Sequence, residues 1–143
     1  MTDCIFCKIL AGDVPASMVY RDKLVAAFMD IQPVTSGHVL VVPVRHAAFM
    51  AEVKPEESEA MMRVAHQVNA ALRASSLPCE GVNYLLGDGE AAMQEVLHAH
   101  LHVFPRVRGD GFGLRFSQEY YERRPAREQL DAQAAELKKL LTR

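Results

Sequence analysis

The alternation of apolar and polar positions is sharpest over Gln94 to Arg106, Q-E-V-L-H-A-H-L-H-V-F-P-R, where His98, His100 and His102 interleave with Ala99, Leu101 and Val103. Strand side chains point to opposite faces with a period of two, so one face carries three imidazoles and the other an apolar anchor. Read as a helix, the same run would turn the histidines through about 100° per residue and leave no apolar stripe. The stretch is therefore predicted as a strand. Other apolar runs predict four more: Met18 to Tyr20 and Leu24 to Asp30 across the polar turn Arg21-Asp22-Lys23, His38 to Val42 ended by Pro43, and Val82 to Leu86.

Helical spacing replaces alternation in two places. Met61, Ala65, Val68 and Leu72, behind Pro55 and the acids Glu56, Glu57 and Glu59, predict a long amphipathic helix from Pro55 to Arg73, its methionines serving as core filler. Leu130, Ala134, Leu137 and Leu141 predict a C-terminal helix that packs on the domain. Cys4 to Leu10 reads as a short turn or single helical turn closed by Gly12, and Gly87 to Met93 as a glycine-containing loop that delivers the chain to the histidine strand. Strands in hairpin-like order around one long helix favour an α+β domain on a roughly five-stranded, mostly antiparallel sheet.

Size and charge narrow the picture. A chain of 143 residues and 15.9 kDa suits one domain over 1–143, with a C-terminal extension from about residue 114. A net charge of -2 and a pI near 6.3 argue against a protein held on nucleic acid by phosphate neutralisation, so any anion must be gripped locally. No apolar run approaches the ~20 residues of a membrane span. The start, Met1-Thr2-Asp3-Cys4, lacks the basic and apolar regions of a secretion signal, and a cytoplasmic location is expected. Three cysteines cannot build a disulfide framework there; Cys4-x-x-Cys7 is a metal half-site or an inert pair, and Cys79 has no assigned role.

Three histidines on one face are hard to reconcile with plain packing, because each unsatisfied imidazole nitrogen would cost roughly 1–3 kcal/mol. Two chemical readings follow: a metal site, or a nucleophilic imidazole flanked by two others that bind and protonate an anionic substrate. Next-but-one spacing is open to both.

His98-Ala-His100-Leu-His102-Val-Phe104 resembles the His-φ-His-φ-His-φ-φ signature of the histidine triad superfamily of nucleotide hydrolases and transferases. The segments C-I-F-C-K-I-L-A-G-D-V-P at the start, F-M-D-I-Q-P over Phe28 to Pro33, G-H-V-L-V-V-P over Gly37 to Pro43 and D-G-E-A-A-x-Q over Asp88 to Gln94 resemble family segments in family order. The resemblance runs from Cys4 to about Gly113. It implies His100 as nucleophile on the α-phosphorus of a nucleotide, with a nucleotidyl-imidazole intermediate that water cleaves, and His102 as a donor to phosphate oxygens beside His98. It places Gln94 by the bridging or leaving oxygen, the backbone N–H groups around Glu95 and Val96 on the phosphate, and Asp30 on the ribose hydroxyls. Phe28 and Ile31 lie against the base or simply fill the sheet core. Two positions depart from the pattern. Gly87 stands where family members often carry Asn or Gln, so that one polar contact is either missing or supplied by another group such as Asp88, Asn83 or the loop backbone, and Met93 stands where a small residue is common.

Cys4 and Cys7 with His46 and His98 resemble a zinc site of some bacterial members, which implies a structural Zn2+ with four protein ligands; the alternative is an inert dithiol beside an exposed His46. The resemblance also implies a homodimer and an adenine-containing nucleotide as partner. Asp30 is similar to the branch that cleaves nucleoside phosphoramidates, whereas Asp88-Gly89, Gly109-Asp110 and the cations Arg115, Arg123, Arg124 and Arg127 lean toward dinucleoside polyphosphate hydrolysis. Transfer to an acceptor other than water and non-catalytic nucleotide binding are the remaining alternatives.

Overall fold

The computed structural model of the chain describes residues 3–141. Five strands, β1 (Met18–Arg21), β2 (Val25–Met29), β3 (Val39–Pro43), β4 (Gly81–Leu85) and β5 (Leu101–Arg106), form one antiparallel sheet in the order β1-β2-β3-β5-β4. Both faces of its centre are covered, which is why β2 and β3 read as continuous apolar runs. On one face Val25, Ala27, Val39, Val41, Ala99, Leu101 and Val103 pack against Ala60, Met61, Val64, Ala65, Val68 and Leu72 of helix α2 (Pro55–Ala74). On the other, Ala26, Phe28, Leu40 and Val42 receive Phe6 and Leu10 of helix α1 (Ile5–Ala11).

The N-terminal segment is more regular than a single turn. Cys4 is the N-cap of α1, its Sγ accepting the Cys7 N–H at 3.4 Å, and Gly12 ends the helix in the left-handed region at φ 86°. Such a backbone favours glycine because it has no Cβ to clash. Helix α2 has Pro55 at its first position, and buried Glu57 accepts the Lys54 N–H at 2.8 Å. The same carboxylate takes Nε and Nη2 of Arg45 at 2.9 and 2.7 Å, a bidentate pair that ties the segment after β3 to the helix start. Met61 fills the core as expected, but Met62 is exposed.

The histidine strand starts later than the alternation suggests. Pairing of β3 with β5 ends at Val41 opposite Leu101, and continuing that register sets Ala99 against Pro43, which has no N–H to give. Ala99 instead donates to Ala47 O at 2.7 Å. The alternation of faces persists through this unpaired stretch.

The chain divides between Gly111 and Phe112 into two compact units. The second carries α3 (Gln118–Glu122) and α4 (Arg127–Leu141). Helix α4 forms where the spacing places it; none of its described residues is buried, and Leu137 and Leu141 are exposed. Periodicity reports an amphipathic face, not what covers it. No helix of the described residues is long and apolar enough to cross a membrane.

Candidate active site and metal centre

His98, His100 and His102 share the α1 face. The Phe6 ring meets His98 and His100 edge-on, at centroid distances of 5.8 and 5.2 Å, and His100 lies 4.8 Å from His102. Fixed backbone partners settle what each ring presents. Nδ1 of His100 lies 2.7 Å from the His98 carbonyl oxygen, which can only accept, so Nδ1 carries a proton and, in the neutral ring, Nε2 holds the lone pair.

A fourth histidine sets the opposite tautomer on His102. Val34 N–H donates to Nδ1 of His38 at 3.0 Å, which leaves the His38 proton on Nε2, 2.9 Å from Nδ1 of His102. His102 accepts there and therefore holds its own proton on Nε2. Burial lowers the pKa of His38, and burial together with His100 and His38 pushes His102 down to about 4, so both rings are neutral near pH 7. One face thus offers a bare nitrogen on His100 and an N–H on His102. His38 went unassigned in the sequence; the signal was parity, since Leu40 pairs with His102 and His38 falls two residues away on the same face.

The other candidate residues divide. Asp30 sits at the end of β2 with Oδ1 accepting Gln32 N–H at 2.8 Å and Oδ2 3.6 Å from Nε2 of His38. Phe28 is buried edge-on against Phe6 at 5.4 Å, and Ile31 is 97% exposed. Asn83 accepts from Nη1 of Arg106 at 2.8 Å, while Asp88 accepts Met50 N–H at 3.0 Å. Gly87 leaves no room for a side chain: a Cβ there would lie 2.5 Å from Ala92 O. Met93 is left-handed at φ 63° and 81% exposed, which accounts for a small residue being the easier choice at that place. Among the described residues, the N–H groups of Glu95 and Val96 take no acceptor within the chain. Buried Gln94 turns its carboxamide onto backbone: Oε1 accepts Gly89 N–H at 2.8 Å, and Nε2 donates to Ala48 O at 2.7 Å and Val96 O at 3.0 Å.

Cys4, Cys7, His46 and His98 converge with their ligand atoms all within 4.8 Å of one another. Nδ1 of His98 lies 3.4 Å from Cys4 Sγ and 3.6 Å from Cys7 Sγ, and Nδ1 of His46 lies 3.3 Å from Cys7 Sγ. Four ligands at about 2.0–2.3 Å in a tetrahedron stand roughly 3.3–3.8 Å apart, so the donor set fits Zn2+. His98 donates its Nε2–H to Pro43 O at 2.8 Å, which frees Nδ1 as a lone-pair ligand. Asp30, His38 and His102 also cluster, but Nδ1 of His38 already accepts Val34 N–H, so Nε2 has no lone pair for a cation.

The HIT domain family model matches residues 11–109. A HIT family protein from Bacillus anthracis is similar in structure at a TM-score of 0.86 and 37% identity, over 96% of each chain. A Zn-bound histidine triad family protein from Mycobacterium smegmatis is similar at a TM-score of 0.75 and 38% identity, over 97% of this chain and 98% of that one. In sequence, the adenosine 5'-monophosphoramidase hnt1 of Schizosaccharomyces pombe is 37% identical over 78% of this chain and 79% of its own. With its signature histidines on one sheet face and the domain match running through them, the chain belongs to the histidine triad (HIT) family.

Proposed function

We propose that this protein hydrolyses an adenine-nucleotide derivative at its α-phosphorus through a nucleotidyl intermediate on His100. The observation that carries the reading is the opposed protonation of neighbouring rings: His100 offers a lone pair at Nε2 and His102 an N–H. In the first step Nε2 of His100 bonds to phosphorus, and the bond to the leaving group breaks. The His98 carbonyl, already holding Nδ1–H, disperses the positive charge that develops on the ring. His102 and the N–H groups of Glu95 and Val96 take the phosphate oxygens, and Asp30 accepts from the ribose. Water then attacks phosphorus as the bond to Nε2 breaks, its hydroxyl staying on the nucleoside monophosphate and its proton replacing the one the leaving group took up, and His100 is restored.

The leaving group separates two readings. Dinucleoside polyphosphate hydrolysis is the one the loop and tail residues lean toward. A phosphoramidate is favoured by the fission-yeast relative, and by the structural use of Asp88 and Asp110, which bind Met50 N–H and Arg106. Comparing kcat/KM for a diadenosine polyphosphate and an adenosine phosphoramidate on one preparation decides between them, because the ratio measures differential transition-state binding.

Cys4, Cys7, His46 and His98 would hold a structural zinc that ties α1 to the sheet. Its support is the tetrahedral donor spacing and the zinc-bound mycobacterial neighbour. A homodimer belongs to the same proposal. Strand β4 lies at an edge of the sheet with Tyr84 and Leu85 exposed, a surface a second copy can cover.

A further inference from the structure

The Gln94 carboxamide has two N–H bonds and a carbonyl oxygen, and backbone engages both hydrogens and one lone pair of the oxygen. Ala48 O and Val96 O take the hydrogens, and Gly89 N–H occupies the oxygen. The main chain doubles the link, Gln94 N–H donating to Gly89 O at 3.2 Å. Close packing of Gly87 under Ala92 O and the left-handed turn at Met93 belong to the same tight loop.

The three acceptor and donor partners lie on separate stretches. Gly89 is in the loop after β4. Ala48 follows His46, a candidate metal ligand, and its neighbour Ala47 holds Ala99 N–H at 2.7 Å. Val96 also accepts His98 N–H at 2.9 Å, two residues before the nucleophile. To reach a leaving oxygen, an N–H of Gln94 would have to abandon a carbonyl and leave it without its partner.

We propose that Gln94 is a positioning residue: it fixes the Glu95–Val96 phosphate turn relative to His100 through the backbone of Ala48, Gly89 and Val96, and does not touch the leaving group. The inference rests on the reading of Glu95 and Val96 as phosphate donors.

The test uses the full chain with AMP, which has no leaving group, and a series of AMP esters that differ only in leaving-group pKa. Wild type is compared with Gln94→Ala and with Gln94→Glu, which keeps an acceptor for Gly89 N–H but sets an oxygen against two carbonyls. Both variants are expected to bind AMP about tenfold more weakly and to lose kcat/KM by one common factor across the esters. Amide exchange should quicken over residues 87–97 while the sheet keeps its protection. A loss that grows with leaving-group pKa, with AMP affinity unchanged, overturns the inference, as do variants that match wild type or a uniform loss without faster exchange at 87–97. A wild type that neither binds AMP nor cleaves any ester removes the functional reading and this inference together, so the two failures are distinguished by the wild type alone.

Discussion

The His98 carbonyl accepts Nδ1–H of His100 at 2.7 Å, while the His98 ring, anchored to Pro43 O at 2.8 Å, turns its other nitrogen toward Cys4 and Cys7. One residue therefore serves both centres: its backbone sets the tautomer of the candidate nucleophile, and its side chain completes the candidate metal site. Disturbing the metal cluster should be felt at His100 through two residues of chain.

For the metal, the expected content is one zinc per chain by elemental analysis, absent in Cys7→Ser. Burial and neighbouring Cys4 raise the Cys7 thiol pKa, so binding must displace protons and should weaken as pH falls. Stripping wild type with a chelator should lower Tm, and restoring zinc should raise it, whereas the Tm of Cys7→Ser should respond to neither. A wild-type Tm indifferent to zinc would contradict a structural role.

His38→Phe keeps an aromatic ring beside Phe104, 5.0 Å away in the native structure, but removes the N–H that fixes His102. The expected loss in kcat is about tenfold to a hundredfold, with His38→Gln recovering part of it by restoring a donor. An unchanged kcat in His38→Phe would show that His102 needs no such partner.

Stability should fall in mild acid. His38 and His102 are held below the ordinary value of 6.5, His102 at about 4, so between those values the unfolded chain binds protons that the folded chain does not. Their contribution is present above about pH 6.5 and is lost as pH falls toward 4. Urea midpoints measured from pH 7.5 to 5 should decline, and less steeply in His38→Phe.

Met93 is the one non-glycine residue at positive φ among the described residues. Relief of its left-handed strain, set against the greater freedom of glycine in the unfolded chain, should make Met93→Gly more stable by up to about 1 kcal/mol in urea titrations. A destabilised Met93→Gly would mean that the exposed methionine side chain has packing of its own to lose.

Much of this was legible in the residues, and the omissions have physical causes. Strict alternation placed the three histidines on one face and Ala99, Leu101 and Val103 in the core, because side-chain direction follows from strand geometry alone. The start of β5 was not legible, since it depends on Pro43 of another strand failing to donate. His38 looked like part of an apolar run, and only the β3–β5 register brings it to His102. The partner of the Gln94 carboxamide at Ala48, and the closeness of Gly87 to Ala92 O, involve backbone carbonyls, which leave no mark in side-chain pattern.

The central claim is a covalent intermediate on His100, and trapping it is the most direct measurement. Wild type mixed with excess adenosine phosphoramidate or diadenosine polyphosphate is quenched in alkali during turnover, where a phosphorus–nitrogen bond to histidine survives, and is then analysed by intact-mass and peptide mass spectrometry. The expected result is a single adenylyl group on the peptide containing His100, absent in His100→Ala, which should bind AMP yet lack turnover. Turnover without an adduct, an adduct on another residue, or activity retained by His100→Ala would contradict the account.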